Sequence, residues 1–285
     1  MRSQLVAALL ALAAAGGCSD SSSDSATPTS ERSPVPTPAS VGADHVLKVI
    51  DGDTFEVTID GVEERVRLIG IDAPESGECM SAEATSALEA LIRSGVRLEP
   101  DVNDRDQYGR LLRYVEAGEV FVNEELVRRG LALAREYPPD TARQTRLSDA
   151  QAVAKDAKRG LWNRTACGPA TAADIEISNI NANPAGDDTE NLNEEWIDVT
   201  NSGAVTLDLT DWVIRDESAS HRFTFANGFV LGAGAKVRLH TGCGEPSDTD
   251  LYWCVGGSAV WNNDGDTVFL LDANGNIVVS RSYAS

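Results

Sequence analysis

Arg67 stands in the run Val66-Arg67-Leu68-Ile69-Gly70-Ile71-Asp72-Ala73-Pro74-Glu75, where a guanidinium among apolar neighbours is costly to bury unless anions face it. Asp53, in the turn Asp51-Gly52-Asp53-Thr54, joins Asp72 and Glu75 as those anions if the two strands pair. Carboxylates clustered without histidine or cysteine suit a hard cation, which takes oxygen ligands and keeps water. A second arginine, Arg110, closes the segment Asp106-Gln107-Tyr108-Gly109-Arg110. Planar guanidinium forks donate paired hydrogen bonds to phosphoryl oxygens and stay charged at any working pH. A cation with two arginines would stabilise the added negative charge of a pentavalent phosphorus. That is phosphodiester hydrolysis in outline. The histidines, His45, His221 and His240, are scattered singly, so histidine-dependent mechanisms fall away.

The elements that must carry these residues are legible in the pattern. Strand-like runs cover 46–59, 65–71, 96–99 and 111–115. Helical spacing of Ala84, Leu88, Leu91 and Ile92 predicts a helix over 81–94, Asn123 before two glutamates reads as a helix cap, and 141–159 reads as a third helix closed by Gly160. Together they predict a small α+β barrel with three helices. Beyond the Gly168-Pro169 junction the pattern changes to short strands at 195–200, 207–214, 222–225, 236–241 and 266–271. Asn274-Gly275 is a hairpin turn before a last strand at 277–280. Many short strands separated by turns predict a β-sandwich, with Trp196 and Trp212 expected in its core. The predicted division is 45–168 and 169–285.

The D-G-D-T turn, the R-L-x-G-I-D-A-P-E run and the D-x-Y-G-R segment, in matching order and spacing, closely resemble the staphylococcal nuclease (thermonuclease) family across roughly Asp44 to Arg164. The resemblance implies a five-stranded OB-fold barrel with three helices. It implies Ca²⁺ held by the carboxylates of Asp53 and Asp72 and the backbone carbonyl of Ala73. Glu75 would orient or deprotonate the attacking water, Arg67 and Arg110 would grip the scissile phosphate, and Tyr137 would meet the nucleotide. The substrate implied is DNA and RNA, cut with little sequence preference. In the second region, Asn193 to Asn201, Leu207 to Trp212 and Trp261 to Val268 resemble the lamin-tail domain family over about Ala173 to Tyr283. This implies an immunoglobulin-like sandwich without catalytic residues and leaves a cell-surface partner as its expected role.

The chain has 285 residues and a formal charge of -21. The charge divides unevenly: 17 Lys plus Arg against 23 Asp plus Glu between His45 and Gly168, but 5 against 18 from Pro169 onward. A polyanion should therefore be bound weakly and salt-sensitively, with Arg105, Arg110, Arg113, Arg128, Arg129 and Arg135 expected to form a local positive patch. The opening residues, one basic side chain and an apolar stretch ending in small residues before Cys18, read as a signal peptide over 1–18. They resemble a bacterial lipoprotein signal, implying lipidation at Cys18 and an exported chain, held at a membrane by its lipid alone or secreted. Residues 19–44 read as a disordered tether. Four further cysteines in an exported chain suggest two disulfides, taken as Cys79 with Cys167 and Cys243 with Cys254. A monomer is expected. The competing class is a noncatalytic surface adhesin whose two domains bind polymers.

Overall fold

The computed structural model describes residues 41–42, 45–187, 190–218 and 220–284. The expected signal peptide with Cys18, and all of the expected tether but Val41 and Gly42, lie outside these residues. The first region is built from β1 (Val41–Gly42), β2 (His45–Val49), β3 (Thr54–Ile59), β4 (Val62–Leu68), β5 (Ile71–Asp72), α1 (Ser81–Ile92), β6 (Arg97–Glu99), β7 (Leu111–Ala117), β8 (Val120–Phe121), α2 (Val122–Arg128), β9 (Leu133–Ala134) and α3 (Gln144–Asp156). Strands pair in the order β2-β3-β4-β7-β6. All neighbours are antiparallel except β4 and β7, which run parallel. This is the order of the OB fold. Val41 and Gly42, expected in the tether, instead pair with Leu98 and Arg97 on the free edge of β6.

Several boundaries differ from the sequence reading, each for a local reason. The run 46–59 is two strands, because Asp51 Oδ1 accepts the Asp53 N–H at 3.0 Å and closes a turn between them. Asn123 is no helix cap. It is fully buried, accepts from Val115 N–H at 2.9 Å and donates to the Ile69 carbonyl at 2.8 Å, tying β7 to the β4–β5 turn. Helix α3 is shorter than 141–159, since Lys158 and Gly160 adopt positive φ and the chain turns into a 3₁₀ segment at Gly160–Trp162. The core beneath the barrel contains Phe55, Leu68, Leu88, Ile92 and Leu126.

The second region comprises β10 (Ile175–Asn181), β11 (Trp196–Asn201), β12 (Leu207–Asp208), β13 (Val213–Arg215), β14 (Arg222–Thr224), β15 (Val230–Leu231), β16 (Lys236–His240), β17 (Asp250–Tyr252), β18 (Gly265–Leu271) and β19 (Ile277–Ala284). Two four-stranded sheets, β10-β11-β16-β17 and β14-β13-β18-β19, share a core containing Trp212, Ile214, Val237 and Trp261. Trp196 departs from expectation: it faces outward, with the Arg238 guanidinium 3.4 Å above its ring. The run 207–214 is broken at Asp211, which adopts a positive φ.

The two regions pack on one another. Leu133, Ala154, Leu161 and Trp162 meet Phe269, Leu271 and Ile277 in a continuous apolar cluster. Disulfides join Cys79 to Cys167 and Cys243 to Cys254. Among the described residues no helix is long and apolar enough to cross a membrane.

Candidate active site

The Asp51–Asp53 turn owes its shape to a missing side chain. A Cβ on Gly52 would lie 2.6 Å from Ala84 Cβ on α1 and 2.7 Å from Ala73 Cβ, so only glycine lets the turn seat against both. That seating directs the carboxylate of Asp53 inward. Its Oδ2 accepts the Ala73 N–H at 2.8 Å and its Oδ1 accepts the Thr54 hydroxyl at 3.0 Å. Gly70, with φ +76°, reverses the chain between β4 and β5 and returns Asp72 toward Asp53.

Arg67 occupies the space between the two acids. Its Nη1 donates to the carbonyls of Leu68 at 2.7 Å and Ile71 at 2.9 Å. Its Nη2 lies 3.1 Å from both Asp53 Oδ2 and Asp72 Oδ1. The three side chains are nearly enclosed, with exposures of 12% for Arg67, 8% for Asp53 and 9% for Asp72. Burial pushes Asp53 up to about 7; Arg67 opposes that rise, while Asp51 and Asp72 reinforce it. Asp72 is also raised, first by burial. Burial works against the charge of Arg67, but Asp53, Tyr137 and Asp72 hold its pKa above the usual value. More carboxylate than guanidinium is enclosed here, an imbalance that a further cation would relieve.

On its other side Arg67 borders a cleft of about 430 Å³, shared with Tyr108, Arg110, Leu112, Tyr137 and Pro138, a volume within the usual range for small-molecule sites. Arg110 is held by Asp106, whose Oδ2 accepts from Nε at 2.6 Å and whose Oδ1 accepts from the Tyr108 and Arg110 amides. Tyr137 lies under Arg135, 4.6 Å from ring centre to guanidinium, and burial pushes its phenol up to about 12. Glu75 is exposed and is not among the residues lining this cleft. Its pKa is raised by partial burial and by the charges of Asp51, Asp72 and Glu78.

The structure thus places Arg67, Arg110 and Tyr137 on one cleft and Asp53 and Asp72 directly behind Arg67. The expected positive patch is not assembled. Arg105 pairs with Glu64, Arg110 with Asp106, Arg113 with Asp104, and Arg128 and Arg129 with Glu125. Sequence reading missed Asp51 as a source of charge and Glu78 as a partner of the Glu75 loop. Its signal was the density of acids around the D-G-D-T turn and the P-E segment.

For a metal ion the donor set is decisive. Among the described residues no three His, Cys, Asp or Glu side chains converge as a ready-made cage. Two carboxylates carrying excess negative charge even with Arg67 between them fit a hard cation that completes its shell with carbonyl, water or substrate oxygens.

Residues 65–164 match the family described as Staphylococcal nuclease homologue, and residues 168–285 match the Lamin Tail Domain. The thermonuclease of Staphylococcus hyicus is 38% identical over 125 residues, covering 41% of this chain and 74% of that protein. The chain belongs to the staphylococcal nuclease family. The thermonuclease of Staphylococcus intermedius is likewise 38% identical over 126 residues, 42% of this chain and 75% of that protein. Endonuclease YncB of Bacillus subtilis (strain 168) is 36% identical over 129 residues, 41% of this chain and 60% of that protein. In this staphylococcal nuclease homologue the lamin tail domain follows the nuclease domain directly.

Proposed function

We propose that the chain is an extracytoplasmic, Ca²⁺-dependent nuclease that hydrolyses phosphodiester bonds of DNA and RNA with little sequence preference. The observation that carries this reading is the position of Arg67, fixed by two carbonyls and two carboxylates at the back of a cleft that also holds Arg110 and Tyr137. In this reading Asp53, Asp72 and the Ala73 carbonyl hold the cation. When bound, the cation supplies positive charge against the phosphoryl oxygens and lowers the repulsion between an anionic substrate and the acids.

The chain's own groups do the rest. With its Nη groups held by two carbonyls and two carboxylates, Arg67 donates its Nε–H to a non-bridging phosphate oxygen from a fixed position, so little reorganisation is needed as charge builds. Arg110 keeps its Nε on Asp106 and turns its Nη groups to the phosphate. Glu75, exposed and with its carboxyl pKa raised first by partial burial, accepts a proton from the attacking water. Tyr137 offers a ring against a base or sugar, backed by Arg135. With the arginine patch largely paired and the net charge at -21, affinity depends on these local contacts and falls with added salt.

Residues 1–18 are taken as the lipoprotein signal ending at lipidated Cys18, 19–44 as the tether, of which Val41 and Gly42 pair with β6, 45–168 as nuclease domain and 169–285 as the lamin-tail sandwich. Two disulfides support an oxidising compartment. The test is a gel assay on plasmid DNA and single-stranded RNA with Arg67→Ala and Glu75→Ala. Each is expected to lose at least a hundredfold in rate. Cleavage at the wild-type rate by either variant overturns the assignment, and absence of cleavage by the wild type favours the adhesin.

A further inference from the structure

Resting on the nuclease reading, we infer that the lamin-tail domain is a working part of the nuclease site: Arg222 of the sandwich positions the loop that carries Glu75, with Arg215 filling the seam behind it. The link is short and continuous. Arg222 Nη1 donates to Glu78 Oε1 at 2.6 Å, and the other oxygen of the same carboxylate, Oε2, accepts the backbone N–H of Glu75 at 3.1 Å. One carboxylate therefore connects a side chain of the second domain to the backbone of the proposed general base.

Three further observations place this contact in a built interface. The far end of the loop is fixed by the Cys79–Cys167 disulfide, and the Cys167 N–H donates at 2.9 Å to Asn276 Oδ1, on the turn between β18 and β19. Arg215 lines a small cavity with Pro74, Glu78 and Arg222. It is 7% exposed, its guanidinium lies 5.1 Å from the centre of the Phe269 ring, and its Nε has no hydrogen-bond partner. Burial works against its charge and lowers its pKa, Arg222 adds to that, and Asp72 and Glu78 oppose it. Composition points the same way. The second region has only five Lys and Arg among 117 residues from Pro169 to Ser285, and two of the five stand at this seam beside the nuclease acids.

An ion pair that merely stapled two domains would be dispensable for the loop itself, since the apolar cluster of Trp162, Phe269 and Leu271 and the Cys167–Asn276 hydrogen bond already hold the domains together. What Arg222 adds is a fixed orientation of Glu78 and, through it, of the Glu75 backbone. Displacement of a catalytic group by about 1 Å is enough to cost on the order of a hundredfold in rate.

The experiment uses the full chain with Arg222→Ala, Arg222→Lys and Arg215→Met. Hydrogen–deuterium exchange is read by mass spectrometry on the peptide spanning residues 74–80, and kcat and KM are measured with plasmid DNA and Ca²⁺. Arg222→Ala is expected to speed exchange in that peptide and to lower kcat by roughly ten- to a hundredfold, with KM within about twofold and melting temperature little changed. Arg222→Lys should restore most of both readouts, and Arg215→Met should show the same direction more weakly. Unchanged exchange at 74–80 in Arg222→Ala overturns the inference, as does a kcat equal to wild type. If the wild-type chain cleaves nothing, the nuclease reading fails and the exchange measurement alone decides whether Arg222 orders the loop.

Discussion

Replacing Arg67 by alanine should destabilise the fold in a pH-dependent way. The guanidinium makes two carbonyl hydrogen bonds and two carboxylate contacts, all at 2.7–3.1 Å, and its loss leaves Asp53 and Asp72 buried without their cation. Removing one partner of a buried pair costs about 3–5 kcal/mol when the other must stay charged. Here the acids have an escape, because Asp53 already sits near pH 7 for reasons of burial. A raised acid binds a proton in the folded state that the unfolded chain has released, so stability falls as pH rises from the unfolded value toward the folded one. Without Arg67 the folded value rises further, and that fall continues above pH 7. The loss relative to wild type is therefore expected to be about 1–2 kcal/mol at pH 5, the worth of the hydrogen bonds alone, and about 3–5 kcal/mol at pH 8. Urea denaturation at both pH values, without divalent cations, measures it. An equal loss at pH 5 and pH 8 would refute the argument that Arg67 compensates excess buried carboxylate.

Further outcomes follow from other parts of the structure. Gly52→Ala puts a Cβ within 2.7 Å of Ala73 and Ala84, and should cost about 1–3 kcal/mol in chemical denaturation; a neutral result would mean the turn is free to shift. Glu217, raised to about 7 chiefly by burial, favours its proton in the folded state, so its unfavourable contribution grows as pH rises through the window from its ordinary value to about 7. Glu217→Gln is accordingly expected to stabilise by up to about 3 kcal/mol at pH 8 and by little at pH 4.5, and equal effects at both pH values would contradict it. The Cys79–Cys167 disulfide closes 88 residues and Cys243–Cys254 only 11. Replacing the first pair by serine should cost about 4–5 kcal/mol against about 3 for the second, by denaturation of each double variant.

The sequence was most informative where chemistry and backbone constraint coincide. In the Asp51–Thr54 turn a glycine, an Asx turn and an inward carboxylate are all required at adjacent positions, so the segment can be recognised without neighbours. The same holds for Gly70, Asp72 and Ala73, and for the alternation that marks the two sheets. It was least informative where partners are remote. The pairing of Glu78 with Arg222 spans 144 residues, and nothing local in either segment marks it. Five of the six arginines expected to form a patch pair with an acid that folding brings near, such as Glu64 with Arg105, and Arg135 lies over Tyr137 instead. Trp196 looked like core because tryptophan usually is, yet its ring is covered by Arg238 on the outer face. Strand β10, rich in asparagine and serine, carries only Ile175 and Ile177 as fully buried apolar side chains, too few to announce a strand.

The most direct test of the central claim is digestion of plasmid DNA by the purified chain without residues 1–18, in Ca²⁺, in chelator, and in chelator followed by excess Ca²⁺. The account predicts cleavage in the first condition, its loss by at least a hundredfold in the second and its return in the third. Cleavage that persists undiminished in chelator would contradict it.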